Sequence, residues 1–217
     1  MQTNTLKKMV VILFLAITVI AFTSCQKEKQ VQPPKTDQAL PSNLLSADFS
    51  SAIAQARKST LTAKIAQTDY VYLLGVEPLE GPDKSVASNG DTISIAGSGT
   101  LSIHEKSVTG SGWFQHTNAA GTLLASGTWN ALELISFKSF GTPGPPFPPS
   151  FEAGKAEISI HLTPEGGGEG FDAILQVYCV LPGSKVPPAF DEGIRLFVPG
   201  VANFNVQVHG QTIFILQ

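Results

Sequence analysis

The chain has 217 residues, of which 42% are hydrophobic and 14% charged, with a formal net charge of -3. It is too apolar and too weakly charged for wholesale disorder, and it lacks the basic excess of a nucleic-acid binder, so no nucleic-acid partner is expected. The 20 glycines and 15 prolines call for many turns, and the length suits one domain with appendages.

Lys7 and Lys8 precede an uncharged apolar run over 9–22. The run is shorter than the ~20 residues that span a bilayer, and a basic start before a short apolar stretch is the layout of a secretory signal. It ends on Phe22-Thr23-Ser24-Cys25. This resembles the lipobox of bacterial lipoprotein signal peptides, in which a cysteine after two small residues is lipidated. Phe22 stands where leucine is usual, a departure that suggests the looser lipobox of some Gram-negative groups. The resemblance covers only this stretch. It implies a signal peptide over 1–24, lipidation at Cys25 and a membrane partner through that anchor. The expected place is the cell envelope, on the outer membrane of a Gram-negative bacterium. The plainer alternative is an ordinary signal peptide cut after a small residue. With Cys25 lipidated, Cys179 has no internal disulfide partner, and in its apolar run it reads as a buried, inert thiol.

Residues 25–42 are polar, carry Pro33, Pro34 and Pro41, and show no periodicity, which reads as a flexible tether. Over 43–69 the composition turns to Ala, Leu, Ser and Lys. Phe49, Ala52, Ile53 and Ala56 follow helical spacing, as do Leu61 and Ile65, so a short amphipathic helical segment is expected there, as a lid or a partner-binding helix.

From 70 to 217 the pattern is β. Strands are expected over 70–76, 92–104, 107–117, 122–140, 154–163, 171–181, 194–198, 202–209 and 212–217. Gly97-Ser98-Gly99 is either a hairpin turn or a bend in one long strand. Asn118-Ala119-Ala120-Gly121 and the glycine-rich 164–170 read as hairpin loops. With no helical crossovers, the fold class is all-β: an antiparallel barrel or sandwich of roughly nine strands after the helical segment. A glycine echo recurs at Gly97-Ser98-Gly99, Gly110-Ser111-Gly112 and Ser126-Gly127. Interior strand glycines suit tight coiling or close approach.

Four strands show an apolar face: Ile93 to Ile103; Ala156, Ile158, Ile160 and Leu162; Phe171 through Leu181; and Ala202, Phe204, Val206 and Val208. Their opposite faces carry Glu157, Ser159 and His161; Asp172, Gln176 and Tyr178; and Asn203, Asn205, Gln207 and His209. This is either a solvated sheet face or the ligand-holding side of a barrel or groove.

The chemistry-bearing residues form no known signature. His104, His116, His161 and His209 fall in separate strands without short ligand spacing, so no metal and no cofactor are expected. Glu133 shares parity with Trp129 and Ile135. Turned inward it would be a desolvated acid; a bulge would turn it to solvent. Glu165, Glu169, Asp172, Asp191 and Glu192 read as solvated loop charge, and no catalytic set is assigned. Two proline-stiffened loops, 141–150 and 186–190, offer Phe147, Phe151 and Phe190 as a rigid apolar rim for a small apolar ligand or envelope component. If those rings instead plug the core's end, the polar face with Tyr178, His161 and His209 is the better place for a ligand. The expected function is a membrane-anchored lipoprotein displaying an all-β binding or structural module, more plausible than an enzyme. The alternative is a barrel-type enzyme, cyclase- or isomerase-like, with a small lumenal site.

Overall fold

The computed structural model describes residues 69–217. The expected signal peptide, Cys25, the expected tether and the expected helical segment lie outside the described residues.

Ten strands follow one another, all paired antiparallel: β1 Asp69–Leu74, β2 Asp83–Ala87, β3 Thr92–Ser102, β4 Ser107–Thr117 and β5 Leu123–Gly141 come first. β6 Phe151–Pro164, β7 Phe171–Cys179, β8 Gly193–Val198, β9 Ala202–His209 and β10 Thr212–Leu216 complete the set. No helix occurs among the described residues. The all-β antiparallel class is therefore as expected, with ten strands in place of nine. The added strand is β2, with the sequence DKSVA. Its inward positions are Asp83 and Ser85, both fully buried. A strand whose buried face is polar shows no apolar alternation, so periodicity cannot reveal it.

The ladder closes on itself. The four strands β3 to β6 are common to two circuits. One runs on through β7, β8, β9 and β2 back to β3; the other returns through β10 and β1. Two strands change neighbours midway to allow this. β3 pairs with β2 over Thr92 to Ile95 and with β1 from Gly97 onward. β6 pairs with β10 at Phe151 and Glu152, and with β7 from Gly154 onward. Every strand thus has a partner on both edges, which removes the open edges that invite aggregation or strand addition.

Gly97-Ser98-Gly99 lies inside the continuous strand β3, so it is a bend and not a hairpin turn. The glycine echo has a packing cause. Gly97 faces Gly112 and Gly99 faces Gly110 across the β3–β4 ladder. The bare backbone there makes room for two rings. A Cβ on Gly97 would fall 2.5 Å from Trp129 Cζ2, and one on Gly110 would fall 2.0 Å from the Tyr72 hydroxyl oxygen. Trp129 and Tyr72 are fully buried; the indole donates to the Ala96 carbonyl at 3.1 Å and the phenol to the Thr109 carbonyl at 2.9 Å. Both polar handles are thereby satisfied inside an apolar core. With Phe151, Phe204, Phe214, Leu101 and Ile158, these rings fill the interior.

The two hairpin loops occur where expected, between β4 and β5 and between β6 and β7. Asn118 Oδ1 shapes the first by accepting from the backbone N–H groups of Ala120 and Thr122, at 3.0 and 2.9 Å. Asparagine is favoured at such turns for this reason.

Bulges break the alternation in two places. On β5, register shifts at Ala131/Glu133 and Leu134/Ser136 turn Glu133 to solvent. On β9, shifts opposite Lys84/Ser85 and Val86/Ala87 overturn the expected apolar face. Phe204 is buried, whereas Val206 and Val208 are each 54% exposed. One extra residue per bulge reverses the parity of everything beyond it.

Candidate functional site

The proline-stiffened loops share one end of the domain. Lys185 N donates to the Phe140 carbonyl at 2.8 Å, and a Cβ on Gly183 would sit 3.5 Å from Gly144 N. Phe151, expected on the rim, is instead fully buried, because it begins β6 and pairs with Ile215 in the core. Phe147 and Phe190 are partly buried against the core. The Phe190 ring stacks on Phe140 at 5.5 Å and meets the Tyr178 ring at 5.3 Å. Phe190 thus acts more as a cover over the outer face of β7 than as a free rim.

That outer face is where the polar strand residues come together. Glu157, Gln176 and Arg195 stand side by side across β6, β7 and β8, as do Lys155 and Tyr178 across β6 and β7. Lys155 Nζ donates to Glu157 Oε1 at 2.7 Å, Gln176 Nε2 to the same oxygen at 2.9 Å, and Ser136 Oγ to Glu157 Oε2 at 2.8 Å. The Lys155 hydrogen bond foremost holds the Glu157 carboxyl below its ordinary range, against a partial desolvation that works the other way. The Tyr178 hydroxyl donates to Gln176 Oε1 at 2.7 Å. Its ring, only 1% exposed, lies under Lys155 Nζ at 5.5 Å and the Arg195 guanidinium at 5.0 Å. Cations over an aromatic face are attracted by its quadrupole.

Arg195 therefore has a fixed pose. Its plane rests on Tyr178, and its Nε donates to Gln207 Oε1 at 3.1 Å. Gln207 is held in turn by donating to the Asp191 carbonyl at 2.8 Å. Arg195 has no carboxylate partner among the described residues. Next to it, across β7, β8 and β9, runs a groove of about 330 Å³ lined by Ile174, Gln176, Arg195, Phe197, Asn203 and Asn205. Phe197 is 44% exposed, and the Asn203 and Asn205 side chains take no partner among the described residues.

The histidines do not converge. His116 Nε2 lies 3.2 Å from Asp91, His161 Nδ1 2.7 Å from Asp172 and His209 Nδ1 3.7 Å from Glu80. Among the described residues no three His, Cys, Asp or Glu side chains are grouped to hold a metal ion. Cys179 is fully buried, and burial pushes its thiol well up.

A second polar feature lies inside. Asp83 is fully buried at the start of β2, and neither of its carboxyl oxygens has a hydrogen-bond partner among the described residues. The β9–β10 turn roofs it: a Cβ on Gly210 would fall 2.1 Å from Asp83 Oδ1. Desolvation, and then the charge of Glu192, push the Asp83 carboxyl well above its ordinary range. Glu192 was expected as loop charge. The residue is only partly covered, but its carboxyl group turns inward. It accepts from the Val180 backbone N–H and from the Thr212 N–H, the latter at 2.6 Å. Burial raises it to about 8, although these donors pull it down. Thr212 Oγ1 lies 2.7 Å from the Tyr178 carbonyl oxygen and 2.9 Å from Glu192 Oε1. The Thr212 hydroxyl has one hydrogen to give and stands within reach of both oxygens.

No protein-family model matches this chain, and no characterised protein or solved structure gives a significant match to it. The reading rests on the site itself.

Three residues carry more weight here than the sequence suggested. Asp83 and Glu192 carried no signal of burial. Arg195 did have one: it is the only arginine after Arg57. A lone arginine at an outward strand position, in register with Gln176, is a residue to weigh.

Proposed function

We propose that this protein is a lipid-anchored module of the cell envelope whose β domain binds a ligand in the outer-face groove across β7, β8 and β9. The observation that carries the reading is a groove with unspent hydrogen-bonding groups on the outer face of the closed sheet. Ligand sites combine apolar lining with a few well-placed polar groups, and Phe197 and Ile174 with Gln176, Arg195, Asn203 and Asn205 have that mixture. The lipobox-like Phe22-Thr23-Ser24-Cys25 supports the anchor. The large buried side chains Trp129, Tyr72, Phe151, Phe204 and Phe214 crowd the interior and weigh against a barrel enzyme with a lumenal site, and the buried Asp83 is roofed by the Gly210 turn.

Two measurements test this. Cys25→Ser should move the protein from the membrane to the soluble fraction, since an acyl chain contributes about 0.8 kcal/mol per buried methylene. A variant that stays with the membrane refutes the anchor. For the groove, an NMR titration of the Cys25→Ser protein with an enzymatic digest of envelope polysaccharide and peptidoglycan should shift the signals of Phe197, Asn203 and Asn205. Asn205→Trp, which fills the groove, should abolish the shifts. Shifts elsewhere, or none, would reject the groove as the binding site.

A further inference from the structure

We infer that the groove accepts a saccharide unit bearing a carboxylate: the acid on the free edge of Arg195, the hydroxyls on Asn203 and Asn205, and the ring's apolar face on Phe197. This rests on the binding reading above and names the ligand class of that same groove.

The backbone narrows the choice first. β7, β8 and β9 each have paired neighbours on both sides. Where these strands pair, their main-chain donors and acceptors are spent within the sheet, which disfavours an extended peptide adding itself as a strand. Recognition then falls to side chains. The volume of about 330 Å³ stands at the low end of small-ligand sites, which suits a compact ring.

Charge narrows it further. Glu157, two strands away across Gln176, is already engaged by Lys155, Ser136 and Gln176. Arg195 has only its Nε committed, to Gln207, and its plane held on Tyr178. The remaining guanidinium nitrogens have no ion-pair partner among the described residues, and Arg195 lines the groove. A planar guanidinium fork matches a carboxylate through two parallel hydrogen bonds, and pinning it beforehand lowers the entropy lost on binding.

The neutral groups describe the rest of the ligand. Asn203 and Asn205 project from the same side of β9, and each amide offers both donor and acceptor capacity. That pairing fits hydroxyl groups, which also donate and accept. Phe197 and Ile174 are cross-strand partners and supply the apolar floor. A sugar acid presents an anion, hydroxyls and a C–H face together; a bare anion leaves Phe197 and both asparagines unused.

The test is an NMR titration of the Cys25→Ser protein with glucuronate and with glucose, using acetate and inorganic phosphate as anion controls. Glucuronate should shift the Arg195 Nε–H, Phe197, Asn203 and Asn205 signals. It should bind about tenfold or more tightly than glucose, the worth of a charge-assisted hydrogen-bond pair, and weaken as salt rises. Arg195→Gln should bring glucuronate to the level of glucose. Arg195→Lys, which keeps the charge and loses the fork, should lose most of the gain. Asn205→Ala should weaken both sugars while leaving their ratio intact.

Equal affinity for glucuronate and glucose, or glucuronate binding that survives Arg195→Gln, would overturn the carboxylate assignment and leave the groove reading standing. Acetate or phosphate binding as tightly as glucuronate would overturn the saccharide assignment. If neither sugar moves the groove signals the inference fails, and if the envelope digest also fails to move them the binding reading falls with it.

Discussion

The protein should melt at a higher temperature at about pH 5 than at about pH 8, and Asp83→Asn should remove much of that difference. In the unfolded chain Asp83 and Glu192 lose their protons near the ordinary carboxyl range. In the fold, desolvation raises both, Glu192 to about 8. For a raised acid the favourable contribution is fully present below the unfolded pKa and is lost as pH climbs through the folded one. Between those limits the native state holds more protons than the unfolded state, so stability falls by about 1.4 kcal/mol per pH unit per group. The melting temperature should therefore fall by several degrees across this window, with the partly covered Glu192 contributing less than a fully enclosed group would. Asp83→Asn deletes one of the two ionisations and leaves that of Glu192 in place. Glu192→Gln is a different experiment: an amide NH2 in place of one carboxyl oxygen would face the N–H of Val180 or Thr212, so that variant should be less stable at every pH. Melting curves of the three proteins across this range decide the matter. A wild-type Tm that is flat or rises toward pH 8 would show that the pair does not hold its protons in the fold.

Gly112→Ala should cost about 3 kcal/mol in urea denaturation, the upper end of what overpacking a tight core does. The added Cβ would fall 1.9 Å from the Ala96 carbonyl oxygen, 2.7 Å from Gly97 Cα and 2.6 Å from Trp129 Nε1. Two of these are backbone atoms of a paired strand and cannot step aside. The third belongs to a ring with no free space around it. Trp129→Phe in the same chain removes the indole N–H edge, so the double variant should lose less than the sum of the two single losses. The backbone part of the clash remains, and recovery stays partial. Gly166→Ala is the control: nothing lies within 4 Å of its added Cβ, so its effect should stay within about 0.5 kcal/mol. A Gly112→Ala protein as stable as that control would mean that the β3–β4 glycines are not what admits the Trp129 ring.

The same glycines show how much of this fold was readable along the chain. Their recurrence at strand-interior positions left tight coiling, close approach and chance open along the chain, and the fold sets Trp129 and Tyr72 against them. Alternation placed the inward faces of β3, β6 and β7 correctly apart from Phe171, which is 45% exposed at the start of β7. Asn118 and the 164–170 glycines marked their hairpins, because turn chemistry depends on neighbours a few residues away. Local patterns of this kind need nothing from the rest of the molecule.

Burial and partnership across strands are another matter. Asp83 looks like any loop acid until the Gly210 turn, from more than a hundred residues later, closes over it. Glu192 is one of two adjacent acids in a loop, and only the Val180 and Thr212 N–H groups draw its carboxyl inward. Val206 and Val208 have the parity of core residues, but two register shifts against β2 place them outside. The apolar rim assigned to Phe151 vanished because that residue pairs with β10. Composition and spacing along the chain specified an all-β antiparallel domain, its hairpins and most of its apolar faces. The ring closure, the buried acid pair and the pinned Arg195 beside an open groove come from contacts between residues far apart in sequence, whose energies depend on which strands are neighbours and on how much water their meeting excludes.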